Sequence, residues 1–159
     1  MMLPLGLLVF PYLYIQLEKI KKNNSKKIFF LSGFLYGLGF FNLLFIWLIN
    51  PFLIYEETKP YFLLSFLFPL FLSLILGLTF IFFKYIKSYF AKIIFIPIIF
   101  VFFEILISNL FYGFPWLIFS LTISNNFIGL LSIKYFGTHF TSFLVISFFM
   151  LPTIFIYKK

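Results

Sequence analysis

Glu104 is the residue whose type and position most strongly suggest chemistry, because it is the acid that lies inside a long apolar stretch. Ionisable side chains within membrane-spanning helices are costly and are usually functional. Glu104 also lies about one turn from the outer end of its stretch, where a carboxylate could simply reach the lipid headgroups. The sequence leaves both interpretations of Glu104 open.

Few other side chains could carry a reaction. The sequence contains no Cys, which excludes disulfides, Cys-based metal sites and a cysteine nucleophile among these residues. Its single His, His139, cannot share a metal with a second His and is more typical of an interface residue than of a base or ligand. No phosphate-binding loop, Ser-His-Asp set or zinc spacing is present. We therefore expect no cofactor and no metal.

The most unusual string is Gly113-Phe114-Pro115-Trp116, which begins nine residues after Glu104. Gly relieves the backbone at a bend, and Pro prevents a helix from continuing through it. Aromatic rings are favoured near the lipid headgroups. We predict a structural corner that faces the outer leaflet, with Glu104 accepting hydrogen bonds from its amides. The plainer interpretation is an aromatic belt.

Three glycines indicate close helix packing. Gly33 and Gly37 form a G-x-x-x-G pair, and Gly39 lies beside them. Small residues at this spacing let a second helix approach closely in a membrane. We predict that these glycines serve packing within the chain rather than a dimer face.

The composition identifies the elements that must position these residues. Of 159 residues, 64% are hydrophobic, 26% are aromatic and 10% are charged, and the mean hydropathy is +1.14. A soluble domain has about 25% charged residues, so a soluble enzyme is excluded, and disorder is excluded by the high hydrophobicity. The net charge of +8 would suggest nucleic acid in a soluble protein. Here the lysines lie between apolar runs, so we expect a membrane protein and no nucleic acid.

The apolar runs predict an all-α membrane protein, organised as a single transmembrane helical domain over residues 1–159. A span needs about 20 apolar residues. Between the fourth and fifth spans, residues 108–137 are too broken for one helix and too apolar for a solvated loop, so we predict irregular interfacial pieces with a brief helix at 128–135. The five predicted spans are residues 1–17, 28–49, 60–83, 89–107 and 138–157.

The lysines predict the orientation of the spans. If the five spans alternate, ten lysines fall on one side and two on the other. The third connection contributes Lys84, Lys87 and Lys92 to the basic side. Because basic loops stay in the cytoplasm, the N-terminus is predicted outside and the C-terminus inside.

Glu104, followed after nine residues by Gly113-Phe114-Pro115-Trp116, resembles a motif of the bacterial apolipoprotein N-acyltransferase family. The similarity covers most of the chain. Two further features occur in the family's order: the glycine-rich span that ends in Trp47, and the helix start at Tyr135-Phe136-Gly137 with Ser142-Phe143.

The resemblance implies an enzyme that moves an acyl chain from a phospholipid to the amino group of a lipoprotein's lipidated N-terminal cysteine. Family members have eight transmembrane helices and a periplasmic nitrilase-like domain, whose Glu-Lys-Cys triad works through a thioester. This sequence has no Cys, and it corresponds to the family's second to sixth helices. Ile107 stands where family members often carry an Arg, which leaves Lys134 as a candidate partner for Glu104.

We therefore expect the transmembrane module of an apolipoprotein N-acyltransferase in a bacterial inner membrane, truncated or split and not catalytic alone. Its lipid-facing or structural residues would be Glu104, residues 113–116 and Trp47. Its partners would be membrane phospholipid, a separate nitrilase-like catalytic subunit and the lipoprotein substrate. The alternatives are a small transporter or channel subunit, which usually has several polar groups near the midplane, and a structural membrane subunit.

Overall fold

The structure, a computed structural model, describes residues 3–21, 25–110 and 117–157. Within these ranges the regular structure is helical, with no strand. Short 3-10 helices occur at Ile46–Ile49, Lys59–Phe66, Ile81–Lys84 and Phe119–Ile123. The α-helices are α1 (Leu3–Lys21), α2 (Lys26–Leu44), α3 (Asn50–Leu53), α4 (Leu67–Phe80), α5 (Tyr89–Leu110), α6 (Phe127–Phe136), α7 (Thr138–Phe149) and α8 (Pro152–Tyr157).

Four helical segments among the described residues are long and apolar enough to cross a membrane. They are Lys26–Leu44, Lys59–Lys84, Tyr89–Leu110 and Thr138–Phe155. Each reaches about the length that a bilayer requires, and the predicted all-α membrane protein is confirmed. The first predicted span, residues 1–17, overlaps the 19-residue helix α1, which is not among these four segments. The count of five spans stays a prediction.

Where the structure describes residues 108–137, the chain forms short helical pieces rather than one long helix, as predicted. After α5 (Tyr89–Leu110), the described chain resumes at Leu117, forms the 3-10 helix Phe119–Ile123 and continues into α6. Gly137 separates α6 from α7 with a φ of 79°, a conformation that L side chains rarely adopt. The short helix expected at 128–135 is α6, and many of its apolar side chains are exposed.

Contacts divide the chain into two compact units. Unit 2 is Lys19–Ile86, and its main contact joins α2 to α4. Gly33 lies opposite Phe80 and Gly37 lies opposite Ser73, so the two helices run in opposite directions. A Cβ atom on Gly37 would lie 2.9 Å from the Cα of Ser73, which leaves no room for a side chain. Among the described residues, no atom from another part of the chain lies within 4 Å of the place that a Cβ atom on Gly39 would occupy.

We expect Gly37→Ala to lower the melting temperature in detergent, with a loss of about 1–3 kcal/mol from overpacking. The added methyl group meets the α4 backbone, which cannot rotate away as a side chain would. Gly39→Ala is the matched control and should leave the melting temperature equal or slightly higher, because Ala favours helix. Equal melting of the two variants would contradict the α2–α4 packing.

Unit 1 comprises Met1–Glu18 and Lys87–Lys159. Its core is built from aromatic rings on α1, α5 and α7. The centroid of the Phe10 ring lies 5.0 Å from that of Phe100 and 5.8 Å from that of Phe149. All three rings are buried, together with Phe103 and Ile146. This core holds α5 beside α7, the two helices that carry the candidate site.

Lys92 corrects one assumption of the sequence analysis, which placed it in a loop. It lies inside α5, its side chain is 4% exposed, and its ammonium group is paired with the carboxylate of Glu18 on α1. The hydroxyl of Tyr14 also donates to Glu18, at 3.1 Å. A lysine can be buried within a helix when an acid pairs with it. The sequence alone shows the charge of the lysine but not its partner. Without Lys92, the predicted cytoplasmic side still carries more lysines than the other side, so the predicted orientation is unchanged.

Candidate functional site: the Glu104 cluster and its groove

Glu104 is buried in α5, with its side chain 0% exposed. The sequence left two interpretations of Glu104, a functional acid inside the membrane span and a carboxylate that reaches the lipid headgroups. The second does not fit this burial. A buried carboxylate requires hydrogen-bond donors, because it has lost its water. The site is therefore defined by the groups that supply those donors.

Three donors converge on the Glu104 carboxylate. The Ser142 hydroxyl donates to Oε1 at 2.9 Å, and His139 Nδ1 lies 3.0 Å from the same oxygen. The backbone N–H of Phe119 donates to Oε2 at 3.5 Å. The Ser142 oxygen in turn accepts from the backbone N–H of Ser120 at 2.9 Å. We call these five residues the Glu104 cluster.

The local sequence explains why these donors meet. His139 and Ser142 lie three residues apart near the start of α7, so they share one face of that helix. Phe119 and Ser120 open a 3-10 helix, whose first N–H groups have no partner within the helix. Glu104 and Ser142 supply the missing acceptors. The cluster therefore joins α5, α7 and the 3-10 helix Phe119–Ile123 through polar contacts.

One buried polar atom of the cluster lacks a hydrogen-bond partner in the described part of the chain. Ser120 is 0% exposed, and its Oγ has no hydrogen-bond partner among the residues that the structure describes. The chain just before it, residues 111–116, lies outside the described residues.

His139 connects the cluster to an apolar groove between α5 and α7. Its side chain is 43% exposed. When the Glu104 carboxylate is ionised it only accepts hydrogen bonds, so Nδ1 then carries the hydrogen toward Glu104 and Nε2 remains as the second polar atom of the ring. The groove has a volume of about 450 Å³. It is lined by Ile98, Val101, Phe102, Ile105, His139, Phe140 and Phe143.

The groove is suited to an apolar chain with one polar group near His139. Apart from His139, its lining consists of aliphatic and aromatic side chains, and its volume lies within the range of ligand sites, roughly 300–1,000 Å³. No group of three His, Asp or Glu side chains that could hold a metal comes together in the described parts of the chain.

The other site residues from the sequence analysis are not members of this cluster or are not among the described residues. Gly113, Phe114, Pro115 and Trp116 lie outside the described residues, so the corner stays a prediction. Trp47 belongs to the 3-10 helix Ile46–Ile49 in unit 2 and is 42% exposed. Lys134 is exposed, and its ammonium group lies 5.9 Å from the centroid of the Tyr135 ring. Within the described ranges, Phe119 supplies a backbone amide that donates to Glu104.

Four of the five cluster residues were not recognised from the sequence, and Phe119 and Ser120 were not singled out at all. His139 was interpreted as an interface residue, and Ser142 entered only through the family resemblance. The available signal was their three-residue spacing at a helix start after Gly137, which places two donors on one face.

Comparison with known protein families identifies a family for this chain. The model of the apolipoprotein N-acyltransferase N-terminal domain matches residues 1–151. No curated protein and no solved structure matches the chain.

Proposed function

Because the chain belongs to the apolipoprotein N-acyltransferase family through that family's N-terminal domain, we propose that it is the membrane module that holds the phospholipid acyl donor. The donor's acyl chain would pass to the N-terminus of a lipoprotein during lipoprotein maturation. The module would lie in the bacterial inner membrane, with the N-terminus outside and the C-terminus in the cytoplasm, as the lysine asymmetry favours.

The α5–α7 groove is the observation that carries this proposal. It offers apolar walls to an acyl chain and places His139 beside them. The Nε2 atom of His139 provides a hydrogen-bonding group for the ester or headgroup region of the lipid. Glu104 orients the ring through Nδ1 and is itself held by Ser142 and Phe119. A buried carboxylate thus serves to position the His139 ring.

The module would not perform the acyl transfer by itself. The thioester route needs a thiolate, which attacks an ester readily and also leaves readily. These 159 residues contain no Cys, so the nucleophile must come from polypeptide outside them. Glu104 is a poor substitute, because its carboxylate is fully buried and engaged with three donors. A nitrilase-like catalytic domain and the lipoprotein are the proposed partners.

We expect Val101→Trp to reduce the phospholipid that co-purifies with the protein several-fold. Val101 lines the groove and is half-buried, so a larger ring there would occupy the volume that the acyl chain needs. Lipid extracted from the detergent-purified protein and quantified by mass spectrometry measures the effect.

Ile94→Trp is the matched control, because Ile94 lies on the same helix, is exposed and does not line the groove. Its lipid content should equal that of the wild type. Melting temperatures of both variants verify that they are folded. Equal lipid content in folded Val101→Trp and Ile94→Trp proteins would overturn the assignment of the groove.

A further inference from the structure

A second groove lies in unit 2, at the end of the α2–α4 pair where α2 begins. Its volume is about 450 Å³. None of its residues belongs to the Glu104 cluster or to the α5–α7 groove. It is lined by Lys26, Lys27, Phe30 and Leu31 of α2 and by Ile81 of the 3-10 helix that follows α4.

Positive charge at this groove is not neutralised by a neighbouring acid. Lys26 and Lys27 are exposed, and neither forms an ion pair within the described ranges. The Lys26 ammonium group lies 6.0 Å from the centroid of the Tyr85 ring, which positions it beside the groove. The acids of this unit, Glu56 and Glu57, lie in the turn after α3, at the opposite end of the α2–α4 pair.

The apolar part of the groove continues from the lysines into the helix pair. Lys26 is the first residue of a segment that is long and apolar enough to span a membrane. Lys26 and Lys27 would therefore lie at a membrane boundary, with Phe30, Leu31 and Ile81 on the hydrocarbon side. A site that is cationic at one end and apolar at the other matches the two ends of a phospholipid.

We propose that this groove binds an anionic phospholipid, with its phosphate between Lys26 and Lys27 and an acyl chain along Leu31 and Ile81. Basic pockets between membrane helices bind anionic headgroups in this way. The inference does not rest on the proposed function, because this groove selects a lipid by headgroup charge, whereas the α5–α7 groove holds an acyl chain.

The test uses the full chain in detergent micelles, titrated with phosphatidylglycerol or phosphatidylcholine and observed by native mass spectrometry. The wild type should prefer phosphatidylglycerol. Lys26→Gln/Lys27→Gln should weaken phosphatidylglycerol binding about 25-fold, because each lysine near an anionic headgroup contributes roughly a factor of five. Binding of phosphatidylcholine should be unchanged.

The control Lys59→Gln/Lys134→Gln removes the same net charge at exposed positions outside the groove and should keep the preference. Leu31→Ser should weaken phosphatidylglycerol binding but not the binding of inorganic phosphate, which has no acyl chain. An equal loss in both lysine double variants would show a net-charge effect and overturn the site. Equal binding of inorganic phosphate and lipid would also overturn it. Val101→Trp should keep the preference for phosphatidylglycerol, because Val101 does not line this groove. The two groove assignments can therefore be overturned independently.

Discussion

Replacing Glu104 with leucine is expected to reduce the yield of folded protein more than any other substitution in the Glu104 cluster. The change removes the acceptor of Ser142, of His139 and of the Phe119 amide, at a position where the Glu104 side chain is 0% exposed. An unsatisfied buried polar group costs about 1–3 kcal/mol, and interhelical hydrogen bonds in membranes average nearer 0.6 kcal/mol. With three donors affected, we expect a loss of about 2–5 kcal/mol.

The measurement is the monodisperse fraction on size-exclusion chromatography together with the melting temperature in detergent. Glu104→Gln should fall between the wild type and Glu104→Leu, because the amide keeps one carbonyl acceptor. Asn109→Leu is the matched control, since Asn109 is an exposed polar residue of α5 whose side chain, within the described ranges, bonds to the carbonyl of Ile105 in its own helix. If Glu104→Leu melts like Asn109→Leu, the cluster does not hold α5, α7 and the 3-10 helix together.

The isolated chain is expected to transfer no acyl group at all. The reason is chemical, because an acyl-enzyme thioester requires a thiolate and these residues include no Cys. The chain is reconstituted in liposomes with phosphatidylethanolamine and a diacylglyceryl lipopeptide, and the N-acylated product is quantified by mass spectrometry. The product should not exceed that of liposomes without protein.

A family member that retains its cysteine serves as the positive control for the same liposomes. The His139→Ala variant provides the decisive comparison, because His139 is the ring that lines the α5–α7 groove. Product formed by the wild-type chain and lost in His139→Ala would assign the transfer chemistry to this module and contradict its proposed role as a lipid holder.

The membrane fold was largely predictable because it follows from local composition. Long apolar runs bounded by charges or proline specify helices of spanning length without reference to the rest of the chain. The broken segment before α7 was also predictable, since Gly137 and its neighbours interrupt the helical pattern. Element ends were less certain, and α1 continues to Lys21 beyond the apolar run that predicted it.

The side-chain partners could not be predicted, because they depend on contacts between distant parts of the chain. Glu104 was singled out as an unusual acid, yet its neighbour His139 lies 35 residues further along the sequence. Lys92 and Glu18 are separated by 74 residues, so a lysine counted as a loop charge proved to be a buried partner. Gly37 and Gly39 are alike in the sequence, and only the position of α4 distinguishes them.

The most direct measurement is to photocrosslink the wild-type chain to a phosphatidylethanolamine that carries a diazirine on its acyl chain. Mass spectrometry of the digested protein then locates the adducts. We expect them to concentrate on the groove-lining residues of α5 and α7, among them Val101, Phe102 and Phe140, and to disappear from those positions in Val101→Trp. Adducts spread evenly over the exposed apolar faces, with the same pattern in Val101→Trp, would contradict the claim that this groove holds the acyl donor.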